Sequence, residues 1–332
     1  MSIPNRWHRW GRNPVATVAF NMRPVRGPWG GSSAFVTQMA AWLKQRGYRV
    51  TYDLKGRVDV IVLIDPRDDL QFKAFGLDQI RDYKRRNPGV RVLHRVNECD
   101  ARKKTHFMDA KLAEGNELAD VTVFISGWLR DHHAAAWFDA GRPHCAIYNG
   151  ADPAVFHPVG SRSWRPGEPF RLVTHHWADN RIKGYDVYEA VDRLQQSGRL
   201  PGVQLVVIGR WPADVAWTCA ETHAPLFGPA LAAKLRGCHA YITASTWEPC
   251  GMHHVEGAQC GLPLLYHADG GGINEAGQLY GSLFRDDVGA AIQDFQQAYP
   301  EKRRAVLRDM PSGDRMCLEY LKVIQALLCV DR

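Results

Sequence analysis

Two glutamates, Glu248 and Glu256, carry the strongest chemical signal in the chain. They stand in AYITASTWEPCGMHHVEGAQCGLP (240–263), where an apolar β-rich run leads into a loop opened by Glu248. A short helix follows, carries Glu256 and stops at Gly261-Leu262-Pro263. Carboxylates so placed sit at the carboxyl end of a strand and along the next helix, where open α/β sheets bind their ligands. One acid can then face a reacting group while the other holds a more distant part of the same ligand. A plainer reading makes Glu248 a helix cap and Glu256 a solvated helix residue, so the surrounding elements have to decide.

Those elements come in two series. Short β-rich runs alternate with helical patterns, which is the mark of βαβ units and a parallel sheet. The first half offers VATVAF (15–20), VDVIVLI (58–64), VRVLHRV (90–96), VTVFIS (121–126) and HCAIYN (144–149). The second offers FRLVTHH (170–176), VQLVVIG (203–209), HAYITAS (239–245) and LPLLYH (262–267). Between them FHPVGSRSWRPGEP, rich in Pro, Gly, Ser and Arg, reads as a linker. The expected fold class is α/β, with two Rossmann-like, doubly wound parallel-sheet domains facing across a cleft. The expected division is 1–157, completed by the C-terminal helix 315–332, and 158–314.

Composition suits that architecture. The 332 residues are 45% apolar and 23% charged, enough for two globular domains and unlike a disordered or fibrous chain. No apolar run approaches the ~20 residues that span a bilayer. The opening MSIPNRWHRWGRNP lacks the apolar core of a secretory signal, so export is not expected. Eight cysteines are scattered without a CxxC pair, which points to reduced thiols and a cytoplasmic protein. The net charge of +7 favours anionic partners: nucleotide phosphates, anionic glycans, a lipid surface or nucleic acid. In RWHRWGR, Trp7 and Trp10 are interleaved with Arg6, Arg9 and Arg12. That mixture suits an anionic membrane interface or stacking on a ring, and equally a plain disordered arm.

Three more segments carry candidate chemistry. In GPWGGSSAFVTQMAAWLKQRGY, Gly27, Gly30, Gly31 and Ser32 follow a strand and precede an amphipathic helix, so backbone amides there can approach an anion or a sugar. The spacing matches neither GxGxxG nor GxxxxGK[ST], and a plain turn with a serine cap reads it as well. VLHRVNECDARKKTHF packs His94, Arg95, Asn97, Glu98, Asp100 and Arg102 into one polar stretch. Here Arg102, Lys103 and Lys104 form either a site for an anionic acceptor or a solvated basic face. Histidines fall in the pairs His132-His133, His175-His176 and His253-His254, but there is no HExxH and no DxD, so no metal site is expected.

The order of these motifs resembles a retaining glycosyltransferase of the GT-B fold, close to family 4. GPWGGSSAFVTQMAAWLKQRGYRV resembles that family's first loop and helix, and VTVFISGWLRDHH its strand and helix before the crossover. AIYNGADPAVFHP is similar to the crossover segment, EPCGMHHVE to the signature with two glutamates, and GGGINEAGQLYGSLF to the tail after it. The resemblance implies transfer of a sugar from a nucleotide-diphosphate donor of UDP or GDP type to an acceptor hydroxyl, with retained anomeric configuration and no cofactor. It assigns Glu248 to the transferred sugar, Glu256 to the nucleotide ribose, and the amides of Cys250, Gly251 and Met252 to sugar hydroxyls or phosphate. Gly30 and Gly31 belong to the donor loop, Gly209 lies near the base, and His94 is placed beside the sugar. Lys183 in THHWADNRIKGYD fits the diphosphate position. The arginine expected before it is replaced by Trp177 or Ala178, which leaves Arg181, His175 or His176 to substitute.

The acceptor implied is a glycan or lipid-linked molecule of the cell envelope, with peripheral contact to the inner face of an anionic membrane and no nucleic acid. Two other functions fit fewer features. A sugar-nucleotide epimerase would use similar nucleotide contacts without an acceptor, and a non-enzymatic anion-binding protein would need only the charge.

Overall fold

The computed structural model describes residues 14–25, 27, 30–69 and 71–329; the arginine- and tryptophan-rich RWHRWGR segment lies outside them. Two six-stranded sheets organise the chain, and every strand pair in both is parallel. The first holds β1 (Thr17–Phe20), β2 (Arg49–Thr51), β3 (Val60–Leu63), β4 (Arg91–Val96), β5 (Val121–Phe124) and β6 (His144–Ala146), in the order β2-β1-β3-β4-β5-β6. The second holds β7 (Phe170–His176), β8 (Val203–Gly209), β9 (Glu221–His223), β10 (Ala240–Thr243), β11 (Leu264–His267) and β12 (Gly281–Phe284), in the order β12-β11-β10-β7-β8-β9.

Inner strands such as VIVL of β3 and AYIT of β10 are buried at every position, because helices cover both faces of a parallel sheet and leave no solvent side. The covering helices show the complementary pattern. In Gly31–Gln45 the buried Phe35, Val36, Met39, Ala40, Trp42 and Leu43 recur at helical spacing and form one stripe against the sheet. The fold is thus a pair of Rossmann-like α/β domains in the GT-B arrangement.

The connections between the two sheets shape the site. The chain leaves the first sheet through Asn149-Gly150-Ala151 and returns through Pro311-Ser312-Gly313. The crossings lie side by side: the Ala151 amide donates to the Pro311 carbonyl at 3.2 Å, and the Gly313 amide donates to the Ala151 carbonyl at 2.8 Å. After the return, helix Gly313–Cys329 packs its buried Met316, Cys317, Tyr320, Leu321, Ile324 and Leu327 into the core of the first sheet. There Tyr320 lies against Phe35 with ring centroids 4.7 Å apart.

Candidate active site

The carboxyl ends of the two sheets face each other across a cavity of about 400 Å³. Its first-domain wall is made of Gly30 and Gly31 after β1 and of Glu98, Arg102 and Lys103 after β4. The second-domain wall carries His175 and His176 from the end of β7, Lys183 from the turn that follows, and the loop and helix after β10 with Glu248, Gly251, Met252 and Glu256. The walls are close, since a Cβ added to Gly31 would stand 3.1 Å from Met252 Cγ.

Glu248 is pinned from below before its side chain does anything. Its amide donates to the Gly270 carbonyl at 3.2 Å, and its carbonyl accepts from the Gly272 amide at 2.9 Å. Gly272 is obligatory there, because a Cβ would fall 1.9 Å from the Pro249 carbonyl oxygen. The preceding Trp247 is held in the left-handed region at φ 51°, uncommon for a bulky residue, and stays 47% exposed. The carboxylate is then aimed into the cleft, where one oxygen, Oε2, accepts from Arg102 Nη2 at 2.7 Å and from Lys183 Nζ at 3.0 Å. Arg102 belongs to the first domain and Lys183 to the second, so Glu248 ties the two together.

The charges of this triad perturb one another. Burial alone would raise the Glu248 pKa, but Lys183 and Arg102 outweigh it and hold the carboxyl down at about 2. Lys183 is pulled below its usual range by burial, with Glu248 opposing. Lys183 is placed by Gly184, whose φ of 89° lets the turn lie against Ala244; a Cβ at that glycine would stand 2.4 Å from Ala244 Cβ. Ala244 follows β10, so one close contact sets the lysine beside the Glu248 loop.

Glu256 has a different partner. Its Oε2 lies 2.9 Å from His175 Nε2, and since a carboxylate only accepts, that nitrogen carries the proton. His175 Nδ1 accepts from the Tyr241 hydroxyl at 3.1 Å, and that hydroxyl accepts from the His175 amide at 2.8 Å. All three residues belong to the second domain. His176 and His253 pack behind them with ring centroids 4.8 Å apart, and burial drives both well below the ordinary histidine range. Among the described residues no group of three or more His, Cys, Asp or Glu converges as a metal site. The eight cysteines are all unpaired.

The structure brings Gly30, Gly31, Lys183, Glu248, Gly251, Met252 and Glu256 to one cavity. Four other candidates lie elsewhere. His94, expected beside the sugar, is fully buried on β4: Nδ1 faces Asn116 Oδ1 at 3.2 Å, Nε2 has no partner, and burial holds its pKa down at about 4. Strand alternation turns it toward helix Met108–Glu117, and only residues beyond Val96 reach past the sheet edge into the cleft. Arg181, expected as a phosphate ligand, points away to pair with Asp186, Glu189 and Asp214, the last two at 3.1 and 2.6 Å. Gly209 ends β8 beside His176 and does not line the cavity. Cys250 has its carbonyl bonded to Asn149 Nδ2 across the domains at 2.8 Å and its thiol buried, which pushes that pKa up to about 12. Glu98 and Arg102 take the places left open. Both stood in the polar stretch after the third β-rich run, but nothing in the sequence told which of its charges would face the second domain.

No family model matches the sequence, and neither does any curated protein. Solved structures do match. Sucrose-phosphate synthase from Thermosynechococcus elongatus has a TM-score of 0.67 at 15% identity, covering 94% of this chain and 99% of that one. A glycosyltransferase from Rickettsia africae has a TM-score of 0.66 at 13% identity, over 96% and 100%. HepE from Anabaena, solved in complex with UDP, has a TM-score of 0.63 at 13% identity, over 94% and 100%. At these identities the likeness is one of fold, and the shared fold is GT-B.

Proposed function

We propose that this chain is a retaining glycosyltransferase of family 4 type, moving a sugar from a UDP- or GDP-sugar to an acceptor hydroxyl without a metal. The observation that carries the reading is an interdomain cavity into which Glu248, Glu256, Lys183 and the two glycine-bearing loops all open. The same fold occurs in HepE of Anabaena, which has been solved with UDP-glucose. In this reading the donor side is 158–314, and the acceptor side is 1–157 with the helix 315–332.

Each role follows from the chemistry of its group. Glu256 accepts from the ribose hydroxyls, since a carboxylate can take two hydroxyl donors at once. Lys183 and the amides at the start of helix Met252–Gln259 meet the diphosphate, where positive charge stabilises the leaving group. Glu248 faces the transferred sugar. With a pKa held at about 2 it stays ionised at neutral pH and is too weak a base to take the acceptor proton, so its contribution is electrostatic. It favours positive charge developing at the anomeric carbon, while the leaving phosphate receives the proton of the acceptor hydroxyl arriving on the same face. The net charge of +7 suits an acceptor in anionic envelope glycan or lipid-linked glycan synthesis, met at the inner face of the membrane. No helix among the described residues is long and apolar enough to cross a membrane.

The test begins with a panel of UDP- and GDP-sugars screened by thermal shift, since a ligand at a hundred times its Kd adds about 2.7 kcal/mol of stability. Stabilisation by one nucleotide series, followed by glycosyl transfer that Glu248→Ala abolishes, is the expected result. Unchanged turnover in Glu248→Ala would refute the assignment. Conversion of the donor to an isomeric nucleotide sugar with no acceptor present would select the epimerase instead.

A further inference from the structure

Among the described residues, every lysine and arginine on the cavity wall is already engaged. Lys103 pairs with Glu98 at 3.0 Å, and Arg102 and Lys183 share the one oxygen of Glu248. The second domain supplies only Lys183, because Arg181 is bound to three carboxylates on its own surface. An incoming anion with more than one charge must therefore draw on the first domain. Arg102 is the group equipped to answer. Its side chain is nine-tenths buried, it lines the cavity, and it uses Nη2 for Glu248 while Nη1 is buried with no hydrogen-bond partner. A buried guanidinium nitrogen left unpaired is costly, and the planar fork of an arginine can hold a carboxylate on one edge and a phosphate on the other.

We propose that Arg102 is a second ligand of the donor's diphosphate, reaching it from the first domain while Lys183 reaches it from the second. This rests on the reading of the cleft as a nucleotide-diphosphate site, and it adds that the phosphate next to the sugar is gripped by both domains. In the ligand-free protein the Glu248 carboxylate occupies the position between the two cations. On donor binding Nη1 takes the phosphate oxygen and Nη2 keeps Glu248, so the carboxylate stays beside the sugar. Donor affinity then reports on how closely the two domains approach.

The experiment is calorimetric titration of UDP, UMP, GDP and GMP into the full chain, as wild type, Lys183→Ala, Arg102→Ala, Arg102→Lys, Glu248→Gln and the Glu248→Gln/Arg102→Ala double variant. Arg102→Ala is expected to weaken the preferred nucleoside diphosphate about thirtyfold, the size of one charge-assisted hydrogen bond, and to leave the monophosphate unchanged. Arg102→Lys should recover part of that loss. The loss should persist in the Glu248→Gln background, which separates a direct contact from an effect relayed through Glu248. Unchanged diphosphate affinity in Arg102→Ala, with Lys183→Ala weakened, would overturn the proposal and leave the donor site standing. Equal losses for mono- and diphosphate would overturn it as well. If neither UDP nor GDP binds the wild type, the donor-site reading falls and takes this proposal with it.

Discussion

Glu248 and Glu256 sit eight positions apart on one loop and helix, yet they are held in opposite ways. Glu248 meets two cations, one from each domain, through a single carboxylate oxygen. Glu256 meets one histidine of its own domain, itself fixed by a tyrosine. Sequence neighbours on one motif thus serve separate mechanical ends. One acid bridges the two domains, while the other belongs to a patch built wholly within the second domain.

Removal of Glu248 is expected to have the largest effect. Glu248→Ala should cut transferase turnover about a thousandfold, in the range for losing a preorganised electrostatic group, as read by product formation at saturating donor. Glu256→Gln should leave turnover within a few-fold and raise the donor KM about tenfold, the mark of a binding contact common to ground and transition states. Equal losses of turnover in the two variants would erase the distinction.

The stability of the fold should depend on Glu248 in a pH-dependent way. The Glu248 carboxyl is held at about 2 against an ordinary 4.5. A depressed carboxyl pKa stabilises the fold above the unfolded value and loses that contribution as the pH falls through the folded one. The stability difference between wild type and Glu248→Gln should thus be constant near neutral pH, at about 3 kcal/mol, and shrink between pH 4.5 and about 2. Denaturant unfolding across that window reads it, and a difference that does not depend on pH would contradict the triad. The smallest effect is expected at Arg181. Its ion pairs are solvent-exposed, so Arg181→Ala should leave the denaturant midpoint and the donor KM nearly unaltered. A raised KM would return that residue to the site.

Much of the fold was legible because buried parallel strands are continuous apolar runs. FRLVTHH and VQLVVIG coincide with β7 and β8 residue for residue. The strands with no signal were β2, β9 and β12, three or four residues each, and all three lie on sheet edges. An edge strand is covered less completely, so RVT and ETH need no apolar run and look like loop. The candidate site was legible where a residue's own segment sets its position, as with Glu248 in its glycine-held loop. Arg181 and His94 do not line the cavity because their directions are set elsewhere, by the acidic cluster around Asp214 and by the alternation of β4. Arg102 depended on a contact with a residue 146 positions away, which no local pattern encodes.

The paired crossings at Ala151 and Gly313 determine how that contact can respond. Two strands that cross at one point and bond to each other leave the second domain a swing about that point and little freedom to slide or separate. In polymer terms the second domain is a loop whose ends are already closed, so bringing its free edge to the first domain carries almost no further loop-closure entropy. Arg102 and Lys183 are thereby presented to the cleft as an intramolecular pair, at an effective concentration set by the paired crossings.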